Sequence, residues 1–259
     1  MSNLHRTHIT VRLGDNLIHL QFLRALAKAH PDHRFEHAGH VAYLGQMLEL
    51  THDLPNVELY PVEYVRPGSI DAWKNAGQFW ERHPLANDWA NFHLEFFRKL
   101  AGEMGLVSPF TKPADLLHDY PALLKKEPIC TPFDFLVVNS KPCSGQLTGY
   151  DSAQMDWLIG ELAQKYTVVC TQKTRISGVT CTADHGFSVT AIGSASLFCK
   201  HIVMVATGCA WPTFNVHNLQ SIQTRVILLE NERVELAPNS VHVESVTGAQ
   251  RILKEKGLL

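Results

Sequence analysis

Apolar and polar positions alternate with two different periods along this chain, and the switches between them predict a regular succession of strands and helices. Ile9, Val11 and Leu13 alternate with polar neighbours as a half-buried strand over about 7–13 does. Gly14 permits a turn, Asp15 is placed to cap a helix, and Ile18, Phe22, Ala25 and Ala29 recur at helical spacing until His30-Pro31 ends the run. The pattern then predicts a strand over 34–37, a helix over 40–51 and a strand over 57–62. Two aromatic-rich helices over 73–83 and 87–104 follow, with Trp80, Trp89, Phe92, Phe96 and Phe97 among them. The spacing of Phe92, Phe96 and Leu100 reads as a core-facing stripe rather than a platform for sugar rings.

Between Val107 and Thr131 the periodicity lapses into a segment holding Pro109, Pro113, Pro121 and Pro128, which has the composition of a connector. It divides the chain into two expected domains, 1–125 and 126–259. The second half restarts with a strand at Phe133–Val138 and a helix over 151–165. A strand at 166–171, a helix over Ser188–Cys199 and a strand over 201–207 come next, then a strand over Arg225–Leu229 and a last helix over 246–256. His201-Ile202-Val203-Met204-Val205-Ala206-Thr207 is almost continuously apolar, which suits a strand buried on both faces of a parallel sheet. Alternation of this kind in both halves predicts an α/β protein of two Rossmann-like, doubly wound domains facing a cleft.

Composition narrows the functions open to such a fold. With 23 basic and 25 acidic residues among 259, and no basic run interleaved with aromatics, nucleic acid is excluded as an expected partner. The first residues lack an apolar signal core and no segment reaches the ~20 apolar residues of a transmembrane helix, so the expected location is the cytoplasm. Six cysteines, all in the second half and without a CxxC pair, read as reduced thiols. Cys181-x-x-x-His185 and Cys199-Lys200-His201 lack the paired spacing of a zinc site, and no metal is expected.

Candidate chemistry falls on loops that follow predicted strands, where open α/β sheets bind their ligands. Asp15 is either a plain helix cap or a carboxylate at the rim of the first sheet that does chemistry. In the second half, Ser140 and Lys141 offer a hydroxyl and a point positive charge suited to a diphosphate. Thr207, Gly208 and Trp211 belong to a second loop, in which the glycine lets backbone approach an anion and Pro212 could start a helix aimed at it. Arg175 supplies a second candidate cation for phosphate. Asp184-His185 is either a solvated turn or a contact to a ribose or base. Neither GxGxxG nor GxxxxGK[ST] is present, and no GxSxG elbow supports a covalent serine mechanism.

The run Leu13-Gly14-Asp15-Asn16-Leu17, its helix through Leu23-Arg24-Ala25-Leu26 and the closing Ala29-His30-Pro31-Asp32 resemble the start of heptosyltransferase-like glycosyltransferases. That resemblance implies the two-domain GT-B fold. It implies that Asp15 is the general base for an acceptor hydroxyl and that the second domain binds a nucleotide-sugar donor, with Lys141 matching a phosphate-contacting lysine. The chain departs from the family pattern at Thr207-Gly208-Cys209-Ala210-Trp211-Pro212, where the family carries an Asp-Ser/Thr-Gly-Pro and histidine motif. The expected function is metal-independent sugar transfer from a nucleotide-sugar to a glycan or other hydroxyl acceptor, with the donor as substrate and no cofactor. The alternatives are a sugar-nucleotide epimerase or hydrolase, and a non-catalytic binding protein on the same fold.

Overall fold

The computed structural model describes residues 3–10, 12–82, 88–124, 129, 131–142, 147–186, 188–230 and 233–259, with the side chain of residue 185 excepted. The chain divides into two compact units, Met1–Pro121 with Val234–Leu236, and Ala122–Arg233 with Ala237–Leu259.

Unit 1 runs β1 (Leu4–His8), α1 (Leu13–Ala29), β2 (Arg34–Gly39), α2 (Val41–Thr51), β3 (Val57–Pro61), β4 (Ile70–Asp71), α3 (Ala72–Arg82) and α4 (Trp89–Glu103). Its four strands are parallel in the order β3-β2-β1-β4. The first strand lies earlier than the expected 7–13: it starts at Leu4 and ends at His8, after which the backbone N–H of Ile9 bonds to the Ala38 carbonyl, while Leu13 is already helical and Val11 lies outside the described residues. The helix also starts earlier: Arg12 is its N-cap and Asp15 already lies in the first turn, so Asp15 does not cap it.

Helix α1 is covered nearly all round. Leu17, Leu20, Leu23 and Leu26 are fully enclosed together with the polar Asn16, His19 and Arg24, whereas Ala29 of the predicted apolar face is exposed. The cover on one side is α4, through Phe22 stacked on Phe97 with ring centres 4.6 Å apart. It continues through the proline-rich segment, where Phe110, Leu116, Leu117 and Tyr120 are all buried. The segment taken for a connector is thus core material of unit 1 as far as Pro121. Trp89, Phe92, Phe96 and Phe97 are buried, as the core reading of the aromatic stripe expects. On the opposite side of the sheet Arg6, Glu36 and Glu58 stand in register. Arg66 binds both carboxylates there and lies over the Tyr60 ring.

Unit 2 runs β5 (Phe133–Val138), α5 (Ser152–Ala163), β6 (Val168–Cys170), β7 (Thr180–Cys181), α6 (Val189–Ala195), β8 (Cys199–Val205), β9 (Thr224–Leu228), β10 (Ser240–Val243) and α7 (Val246–Glu255). All six strands are parallel, in the order β10-β9-β8-β5-β6-β7. The apolar runs fill the centre: Phe135 to Val138, Ile202 to Val205 and Val226 to Leu228 are fully enclosed, as parallel strands with two covered faces require. Helix starts are set by Asp151, Ser188 and Ser245, each accepting a backbone N–H of the first turn.

The helix predicted over Ser188–Cys199 stops at Ala195, and Cys199 opens β8 instead. This short helix packs tightly. A Cβ built on Gly193 would lie 2.5 Å from Leu123 Cδ2 and 3.2 Å from the Pro212 carbonyl oxygen, and backbone cannot yield as a side-chain end can. Gly193→Ala is therefore expected to lower stability by about 1–3 kcal/mol through overpacking, read as a lower urea midpoint at unchanged slope.

Candidate functional site

In each sheet the chain reverses its direction of travel at one strand pair, and the carboxyl ends of that pair open a crevice. In unit 1 the pair is β1 and β4, since β2 and β3 lie to one side of β1 and β4 to the other. In unit 2 it is β5 and β8, with β6 and β7 to one side and β9 and β10 to the other.

Four residues after β1 the chain enters α1, and Asp15 sits in its first turn, half-buried. Burial pushes its carboxyl up to about 6, against the opposing pull of the Arg12 guanidinium and of its own backbone N–H. A carboxyl that loses its proton near neutrality is suited to accept one from a hydroxyl. Beneath it lies a buried polar group. Asn16 Nδ2 donates to the Arg12 carbonyl at 2.9 Å, and Asn16 Oδ1 is 3.4 Å from His37 Nε2. Thr7 Oγ1 stands 3.0 Å from both His37 Nδ1 and His19 Nε2. Burial holds His37 down at about 3 and His19 well below the ordinary histidine value, so both rings are neutral. His8 ends β1 with its Nδ1 3.1 Å from Ser69 Oγ and its Nε2 3.7 Å from Asp71.

The unit 2 candidates share the carboxyl edge of three adjacent strands. After β5, Asn139 ties the loop down: its Oδ1 accepts from Gln172 N at 2.8 Å and from Thr171 Oγ1 at 3.2 Å, while its Nδ2 donates to Gln172 O. Tyr150 donates to the Asn139 carbonyl at 2.9 Å. Ser140 is buried with its Oγ 3.3 Å from Thr171 Oγ1, and Lys141 is exposed. After β8 the chain makes a 3-10 turn over Gly208–Thr213 with Pro212 inside it, not the α-helix expected there. Thr207 Oγ1 is enclosed and has no hydrogen-bond partner among the described residues. Gly208 is half-buried, and Trp211 is buried with its ring 5.7 Å from that of Phe214.

After β6, Arg175 is exposed. In the same loop Lys173 pairs with Asp184 at 3.1 Å, which makes Asp184 part of a surface ion pair, and the side chain of His185 lies outside the described residues. Two residues that local pattern did not single out organise this edge. Asn139 is one, and Glu230 beyond β9 is the other: its carboxylate accepts from Thr148 N at 2.9 Å and Gly149 N at 3.1 Å. Asn139 stands directly after an apolar strand, a position where an amide commonly closes a turn, and that placement is the only local signal of its role.

The described thiols Cys170, Cys181, Cys199 and Cys209 are all free. Burial raises the first of these well above the ordinary thiol range and Cys199 to about 12, which leaves both without nucleophilic character at neutral pH. Cys130 and Cys143 lie outside the described residues. Among the described residues, no helix is long and apolar enough to cross a membrane.

No protein-family model and no curated protein matches the chain by sequence. Solved structures do match it in fold. Escherichia coli heptosyltransferase WaaC, solved with ADP-2-deoxy-2-fluoro heptose, superposes with a TM-score of 0.58 at 16% identity, over 97% of this chain and 99% of that one. A family 9 glycosyl transferase from Veillonella parvula gives 0.53 at 11% identity, over 98% and 89% of the two chains. The E. coli ADP-heptose LPS heptosyltransferase II gives 0.52 at 12%, over 98% of both. The chain has the mixed α/β, GT-B-like fold of these glycosyltransferases, as its opening motif suggested.

Proposed function

We propose that this protein is a metal-independent glycosyltransferase that moves a sugar from a nucleotide-sugar to a hydroxyl acceptor. The observation that carries the reading is the half-buried carboxyl of Asp15, raised to about 6 at the carboxyl end of β1. Asp15 would take the proton of the acceptor hydroxyl as its oxygen forms the new bond to the anomeric carbon. The bond from that carbon to the diphosphate breaks, and the diphosphate leaves with the electron pair. Lys141 and Arg175 would offset the negative charge that grows on the leaving group, and the Gly208 backbone would add an N–H donor. The fold neighbour WaaC was solved both with ADP and with ADP-2-deoxy-2-fluoro heptose, so adenosine diphosphate-linked sugars are the first donors to test.

A thermal-shift screen without added metal, against ADP, GDP, UDP, dTDP and their sugars, tests donor binding. One nucleotide at 100 times its dissociation constant is expected to add about 2.7 kcal/mol of stability. Turnover of the nucleotide-sugar without an acceptor would favour an epimerase or hydrolase instead. No shift with any nucleotide would favour a non-catalytic binding protein.

A further inference from the structure

The buried polar groups beneath Asp15 permit only one order of protons. A carbonyl oxygen can only accept, so the Asn16 atom 2.9 Å from the Arg12 carbonyl is the amide nitrogen and Oδ1 is the atom that faces His37. His37 then carries its proton on Nε2, and its bare Nδ1 accepts from the Thr7 hydroxyl at 3.0 Å. Having given its one proton, Thr7 accepts from His19 Nε2–H, and His19 Nδ1 is left enclosed with no hydrogen-bond partner among the described residues. The chain runs His19 to Thr7 to His37 to Asn16 to Arg12, from α1 through β1 and β2 and back to the start of α1. Adding a proton to either ring, at His19 Nδ1 or His37 Nδ1, would charge a fully buried group, and at His37 it would set N–H against O–H.

This chain ends on the first turn of α1, whose apolar anchor is the buried Leu13. Arg12 is the N-cap and its side chain makes no capping hydrogen bond, while the first helical bond, Asn16 N to Arg12 O, is a long 3.3 Å. The pocket around Asn16 has no slack, since a Cβ on Gly39 would lie 3.2 Å from Asn16 Oδ1 and 3.1 Å from Met47 Sδ. We propose that Asn16 is a positioning residue: through the Arg12 carbonyl it anchors the first turn of α1 to the β1–β2 pair, and so sets the depth at which the Asp15 carboxyl is held.

The proposal rests on the reading of Asp15 as the base, but its test does not. The charged and titratable groups near that turn are Arg12 and His19 on α1 itself, His8 on β1 and His37 on β2. In the full chain labelled with 13C, the Asp15 side-chain carboxyl, assigned by its loss in Asp15→Asn, is followed through a pH titration. Asn16→Leu, which keeps the branched shape and removes the bonds to Arg12 and His37, is expected to move the Asp15 midpoint down by roughly one pH unit or more as the freed turn lets water in. His37→Gln, whose amide still donates to Asn16 Oδ1, is expected to keep the parent midpoint. Should Asn16→Leu fail to fold, Gly39→Ala, which presses on Asn16 Oδ1, is read in its place with the same expected direction. A folded variant with a lower melting temperature but an unmoved Asp15 midpoint would overturn the proposal, because a merely structural Asn16 behaves in that way. Full sugar transfer by Asp15→Asn would remove the reading of Asp15 as base and leave the titration result standing, so the two fail separately.

Discussion

Asp15→Asn is expected to lower the rate of sugar transfer by about 10²–10⁴-fold while leaving the donor's dissociation constant within about twofold. Asparagine keeps the shape of the side chain and cannot take a proton. Loss of stability would not account for the effect, and the sign of the linkage shows why. Burial raises the Asp15 carboxyl to about 6 in the folded chain, above its value when unfolded, so folding favours the protonated form. The ionised carboxylate therefore weighs against the folded state above that pH, and a neutral side chain relieves the penalty. At pH 8 the variant is expected to unfold at no lower urea concentration than the parent. The same carboxyl predicts that kcat/KM of the parent falls as pH drops through about 6, since a base must be ionised to act. Single-turnover transfer followed from pH 5 to 8, with donor binding measured in parallel, separates these terms; a flat profile, or loss of donor binding in Asp15→Asn, would contradict the assignment.

How far the sequence led depended on whether the interactions that decide each element are local. Val203, Met204 and Val205 marked a strand covered on both faces, and Asp151 and Ser188 marked helix starts, because burial and capping leave traces within a few residues. Two-residue strands such as Ile70–Asp71 and Thr180–Cys181 carry no period and exist only because a neighbouring strand is there to pair with. Asp15 looked like a cap because Gly14 looked like a turn, whereas Leu13 and Gly14 are already helical and Arg12 takes the N-cap. The polar residues of α1 were the least legible. His19, Gln21 and Arg24 are polar residues that hydrophobic periodicity leaves off the core face, yet all three are buried and bond to Thr7 on the sheet, the Leu117 carbonyl and Asp119, the last two more than 90 residues away. At the candidate site the strand-end loops could be located, but Asn139 and Asn16 take their roles from neighbours on other strands.

Arg24→Met is expected to destabilise unit 1 by about 3 kcal/mol, toward the lower end of what breaking a buried ion pair costs. The guanidinium is fully enclosed. It binds Asp53 with two parallel bonds of 2.7 and 2.9 Å, reaches Asp119 at 3.2 Å and the Leu50 carbonyl at 2.8 Å, and lies over the Tyr120 ring. Methionine keeps much of the volume, so the cost falls mainly on the groups left behind. The Leu50 carbonyl loses its donor inside the protein. Asp53 and Asp119 keep 22% and 32% of their side-chain surface in water, and Asp119 keeps Lys28, so both can recover part of their solvation, which sets the estimate low in the range. Burial pushes both carboxyls up, but the bonds to Arg24, with Lys28 at Asp119, outweigh it and hold them below the ordinary range. Their contribution is therefore fully present above pH ~4 and is lost as pH falls through the lowered values. Urea unfolding at pH 7 and pH 3 should show the variant's deficit shrinking at the acid end, where the parent has lost the same interaction. Adding Asp53→Asn to Arg24→Met should restore part of the stability at pH 7, since it removes a carboxylate that no longer has its partner. An additive loss in the double variant would mean that the two side chains act independently and that the enclosed guanidinium is held by its packing alone.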